Sequence, residues 1–98
     1  MAEHARTGSW SKLRARFLEE NQPAELEKMR EDGTLDEYLN RIEDEYNEQF
    51  SKMSDERVKE TQLEIRYGRK EIDWQTYVGE YNQIRNEIRE LLTAKLCQ

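Results

Sequence analysis

The stretch WQTYVGEYNQIRNEIRELLTAKL, residues 74–96, decides the fold. Trp74, Tyr77, Tyr81, Ile84, Ile88 and Leu91 recur at alternating spacings of three and four, and Val78, Leu92 and Leu96 widen the stripe. That spacing predicts one long amphipathic helix whose apolar side must be covered by other helices, by a second copy of the chain, or by both. Asp73, just before it, is the expected N-cap, because its carboxylate can accept amide protons of the first turn.

Working outward, Tyr67-Gly68-Arg69-Lys70 reads as the close of the preceding segment, with Gly68 as the left-handed cap and the cations near the free carbonyls. Thr34 followed by Glu37 forms the pattern of a capping box. The helix after it places Leu35, Leu39, Ile42, Tyr46 and Met53 on one side, flanked by Tyr38 and Phe50. Val58, Thr61 and Ile65 point elsewhere at about 100° per residue, so a break is expected near Ser54. Before Gly33, Leu26 and Met29 form the apolar side of a helix that opens at Pro23. Trp10, Leu13 and Phe17, with Leu18, mark a first helix over residues 9–20, capped by Ser9 or Thr7.

The expected architecture is all-α: a small bundle of four to five helices with a long C-terminal amphipathic helix. Residues 1–8 are read as a frayed tail and residues 9–98 as a single helical domain. Of the 98 residues, 35% are hydrophobic and 39% charged, so the core must be built from ordered stripes rather than from bulk apolarity. The two long helices are expected to pair antiparallel. The alternative is a homodimer through the Trp74–Leu96 helix. There is no apolar run of the roughly 18 residues a membrane span needs, nor a leader pattern. With one cysteine, Cys97, the expectation is a cytoplasmic protein with a reduced thiol.

Chemistry is sparse. The single histidine, His4, and Cys97 lie at opposite ends, and no Glu-x-x-His pattern occurs. No catalytic, metal or cofactor site is expected, and the chain is read as not an enzyme. Charge is the distinctive feature. From Glu31 to Glu48 there are eight acids against one base, Arg41, a local net of −7 in a chain of net −6.

Such a window is commonly a solvated face. The functional alternative makes Asp32, Asp36, Glu37, Glu43, Asp44, Glu45 and Glu48 a surface that fills a basic nucleic-acid groove on another protein. Two small cationic groups, Lys12, Arg14 and Arg16, and Arg66, Arg69 and Lys70, are the candidates for direct nucleic-acid contact, which the acidic balance opposes. Trp74, Tyr77 and Tyr81 suggest a stacking platform, but at this spacing they are expected to be core.

Three sets of residues resemble the TnpV family, small proteins encoded by transposons of Gram-positive mobile elements. They are Gly8-Ser9-Trp10 with Arg16-Phe17-Leu18-Glu19-Glu20; Met29, Gly33-Thr34-Leu35, Tyr38-Leu39 and Ile42-Glu43; and Tyr77-Val78-Gly79 with Asn82-Gln83-Ile84-Arg85-Asn86. The stretch from Met53 to Asp73 departs from the family pattern. The resemblance implies a mobile-element setting and an all-α fold, and carries over no active site. The favoured expectation is a non-enzymatic protein that binds and inhibits a basic host protein, most readily a CRISPR nuclease or other defence nuclease, through its acidic helix. The alternatives are an accessory or regulatory factor of transposition acting through Lys12, Arg14 and Arg16, and a dimerising helical adaptor.

Overall fold

The computed structural model describes residues 8–98, so residues 1–7 of the expected tail, Thr7 and His4 among them, lie outside the described residues, while Gly8, the tail's last residue, leads directly into the first helix. Five helices and no strand occur among the described residues: α1 (Ser9–Asn21), α2 (Pro23–Asp32), α3 (Leu35–Thr61), α4 (Leu63–Gly68) and α5 (Trp74–Leu96). The protein is all-α, and its last helix spans the residues its periodicity predicts.

Local chemistry sets most of the boundaries. Pro23 occupies the first turn of α2, where its missing N–H costs nothing. Gly33 ends α2 at φ 75°, a left-handed conformation open to glycine. The following amide, Thr34 N–H, donates to the Met29 carbonyl at 3.0 Å. That bond closes α2 and uses the amide that Glu37 would have taken, so the expected capping box does not form. Asp73 does cap α5: Thr76 N–H donates to its Oδ1 at 2.8 Å.

The expected break at Ser54 is absent, and α3 runs unbroken to Thr61. Tyr46, Phe50, Ser54 and Val58 are all buried, each four residues after the last. Steps of four advance the buried line by about 40° around a helix, so the face drifts gradually instead of switching. Ser54 is therefore part of the seam, not a cap, and its buried Oγ has no hydrogen-bond partner.

The break comes at Gln62, which is left-handed at φ 56°. This residue resets the helical phase, so Leu63 becomes fully buried at 0% exposure while Ile65, expected in the core, is 50% exposed. After α4 the left-handed position is Lys70, φ 62°, and not Gly68, which stays helical. Glu71 N–H then reaches back to the Arg66 carbonyl at 2.9 Å.

The chain divides into two compact units, Met1–Asn47 with Thr93–Gln98, and Glu48–Leu92. In the first, α1 packs on α2, and Trp10, Leu18, Leu26, Leu39, Tyr46 and Leu96 are buried. Trp10 meets Tyr46 at 5.6 Å between ring centroids. In the second, Phe50, Val58, Leu63, Ile84, Ile88 and Leu92 are buried. There α3 and α5 run antiparallel: Phe50 lies under the guanidiniums of Arg85 and Arg89, while Arg57 and Thr61, later in α3, line a groove with Glu80, Gln83 and Ile84, earlier in α5.

Candidate functional site

Of the seven acids in the expected partner surface, six are exposed: Asp32, Asp36, Glu37, Asp44, Glu45 and Glu48. Glu43 is not. At 5% exposure it points into the first unit, where Oε1 accepts the Ser11 N–H at 2.9 Å and Oε2 accepts the Asn47 side-chain N–H at 2.9 Å. Asn47 Oδ1 in turn accepts the Trp10 indole N–H at 3.0 Å. Ser11 lies in the first turn of α1, so Glu43 caps that helix from α3 and replaces the local cap expected of Ser9.

The remaining acids of the first unit have a clear layout. On α3, the pairs Asp36/Glu37 and Asp44/Glu45 are eight residues apart, about 12 Å along the axis. At a turn of about 100° per residue, Glu37, Asp44 and Glu45 lie on the side of α3 away from Leu39, Glu43 and Tyr46, whereas Asp36, seven residues before Glu43, is on Glu43's side and is exposed at the start of the helix. Arg41, the one base of the window, is exposed and rests over the Tyr38 ring at 5.9 Å. Glu48, also exposed, belongs to the second unit.

The first cationic group does not form one surface. Lys12 and Arg16 are exposed, one turn apart, but Arg14 turns inward between them. Its guanidinium donates to the Tyr38 hydroxyl at 2.9 Å and to the carbonyls of Leu96 and Gln98 at 2.7 and 3.2 Å. Arg14 thus satisfies carbonyls at the end of α5, where a cation also suits the helix dipole. In the second group, Arg66 is engaged by Glu80 through two hydrogen bonds of 3.0 and 3.2 Å, and donates as well to the Thr61 carbonyl that ends α3. Arg69 and Lys70 are exposed.

The aromatic stretch expected in the core is only partly there. Tyr77 and Tyr81 are half-buried, and Trp74 and Leu91 are 61% and 55% exposed. The covered row of α5 is Ile84, Ile88, Leu92 and Leu96, again in steps of four. Trp74 stacks on Tyr77 (5.6 Å, 16°) and Tyr77 on Tyr81 (6.2 Å, 11°), with Tyr67 set against the first two rings. An open cleft of about 800 Å³ adjoins Trp74 and includes Tyr67, Lys70, Glu71 and Asp73. Hydrogen bonds from Thr76, its hydroxyl first and its amide second, hold the Asp73 carboxyl below its ordinary value.

No group of three or more His, Cys, Asp or Glu residues suited to a metal occurs among the described residues. No helix among them is long and apolar enough to cross a membrane.

These features define a small all-α protein with an acidic helical face in one unit and a partly exposed aromatic stack in the other. Residues 1–97 match the family described as transposon-encoded protein TnpV, and the chain belongs to that family. No curated protein and no solved structure matches it.

Proposed function

We propose that this transposon-encoded protein is not an enzyme and works by binding a basic partner through the acidic face of α2 and α3 in its first unit. The partner is a nucleic-acid-binding host protein, such as a defence nuclease, whose groove the carboxylates occupy in place of phosphates. The supporting observation is where the acids sit relative to the helix ends. Asp36 and Glu37 lie in the first turn of α3, where the helix dipole favours them, so their presence has a structural reason. Glu31 and Asp32 lie in the last turn of α2, where the dipole disfavours them, and Asp44 and Glu45 lie mid-helix, where it is indifferent. The helix dipole does not account for Glu31, Asp32 and Glu45, and a cationic partner does.

That placement supplies the test. Asp32→Lys should raise thermal stability slightly, by relieving the dipole, while weakening the partner; fold and function then move in opposite directions. The assay is DNA cleavage by a purified CRISPR nuclease with and without the protein, across a salt series. Inhibition should weaken with salt and be lost in an Asp32→Lys, Asp36→Lys, Glu45→Lys variant that keeps its helical signal. Absence of inhibition, or inhibition unchanged in that variant, would defeat the proposal. The alternative role in transposition through Lys12, Arg14 and Arg16 has less support, because Arg14 is turned into the end of α5.

A further inference from the structure

The stack of rings in the second unit has two unlike ends. At the Tyr81 end it is closed by a guanidinium of its own helix: Arg85 lies 5.5 Å from the Tyr81 centroid and donates to its hydroxyl at 3.3 Å. The unit repeats this chemistry at Phe50, which sits under Arg85 at 4.8 Å and Arg89 at 5.2 Å. At the other end the stack stops at Trp74, whose ring is exposed and borders the open cleft. The charged residues of that cleft are Glu71, Asp73 and Lys70, two carboxylates to one cation.

We propose that this cleft binds an arginine side chain of a basic partner, the guanidinium stacking on Trp74 as Arg85 does on Tyr81, with Glu71 and Asp73 supplying the counter-charge. Aromatic faces carry negative potential, and tryptophan is the strongest of them for a cation. Arginine suits the site better than lysine, since its planar group stacks and can meet a carboxylate at its edge at the same time. A nucleobase would also stack on an indole, but its phosphate would meet the two carboxylates in a chain of net charge −6. The inference shares with the proposed function the idea of a basic partner, but it places a second contact on a different unit.

The probe is a short capped peptide of alternating glycine and arginine, titrated into the full chain with the two indole N–H resonances followed by NMR. Trp10 is buried and Trp74 exposed, so only the Trp74 signal should move. Affinity should fall about five- to tenfold in Trp74→Ala and comparably in Glu71→Lys, which leaves the indole in place. The lysine analogue should bind more weakly. Asp36→Lys with Glu45→Lys should leave peptide binding unchanged, so failure of the α3 surface and failure of this cleft appear in different variants. Equal affinity in Trp74→Ala, a Trp74 signal unmoved by the peptide, or a Trp74 signal moved instead by oligothymidylate would each overturn the assignment.

Discussion

Replacing Glu43 with glutamine changes one atom's chemistry and should cost far more than a surface exchange. Both carboxylate oxygens accept: one from Ser11 N–H, the other from the Asn47 amide. Glutamine offers one acceptor and one donor. If its oxygen serves Ser11, its NH₂ faces the Asn47 NH₂, and Asn47 cannot turn over because its oxygen is held by the Trp10 indole N–H. One charge-assisted bond is lost, the other weakens to a neutral one, and the net cost is about 2 kcal/mol. For a domain of this size that corresponds to a fall of roughly 8–16 °C in melting temperature. Gly8 provides an independent check, because a Cβ there would collide with the Glu43 carboxyl although the backbone conformation is one any residue adopts. Gly8→Ala should therefore destabilise the parent, and cost much less once Glu43 is already alanine. Thermal unfolding by circular dichroism measures all four corners of that cycle. Glu43→Gln melting within about 2 °C of the parent, or additive effects of Gly8→Ala and Glu43→Ala, would refute the cap.

Lys70→Gly should stabilise the protein by about 1 kcal/mol, since a non-glycine residue held at φ 62° bears that cost and glycine does not; urea unfolding with no gain would contradict it. Ser54→Ala should also stabilise, by about 1 kcal/mol, through better helix propensity and removal of a buried hydroxyl without a partner, and a lower urea midpoint would point to a bond the seam conceals. Asp73 titrates below its ordinary value in the folded chain, so the stability it contributes is present above that value and is lost as pH falls through the depressed one. The stability gap between the parent and Asp73→Asn should be constant near neutrality and close below about pH 4; a gap that widens in acid would reverse the sign of the argument.

Where the chain carries strong local signals, the helices are legible from residues alone. Pro23, Gly33 and Asp73 each act through backbone chemistry that does not depend on distant residues, and α2 and α5 begin or end at them. Long-range polar contacts are not legible in the same way. Glu43 stands in a run of acids and looks like one more surface carboxylate, yet it is the one that turns inward. Left-handed residues other than glycine are equally silent: Gln62 shifts the phase that hides Leu63 and exposes Ile65, and Lys70 takes a conformation that the nearby Gly68 invites one to assign to itself. For the candidate surfaces, composition revealed the acidic window but not which member is structural, and spacing assigned Trp74 to a core that does not reach it.

A single rule of spacing would have recovered several of these. Arg14 lies four residues after Trp10 and four before Leu18, and Ser54 lies four after Phe50 and four before Val58, all four neighbours being buried. Glu43 lies four residues after buried Leu39 and three before buried Tyr46. A polar residue set into a row of buried neighbours at helical spacing must point inward with them, because the helix fixes its direction before its chemistry is consulted. It then either finds a distant partner, as Glu43 and Arg14 do, or remains unsatisfied, as Ser54 does. The two that find partners both tie α1 to other parts of the first unit. Apolar area alone would let that helix slide or rotate on its neighbours, whereas a carboxylate at its first turn and a guanidinium reaching the carbonyls of Leu96 and Gln98 permit one register. Asp32, Glu37 and Glu45 stand exposed outside this row, and binding experiments on the acidic face belong on them, with Glu43 left intact.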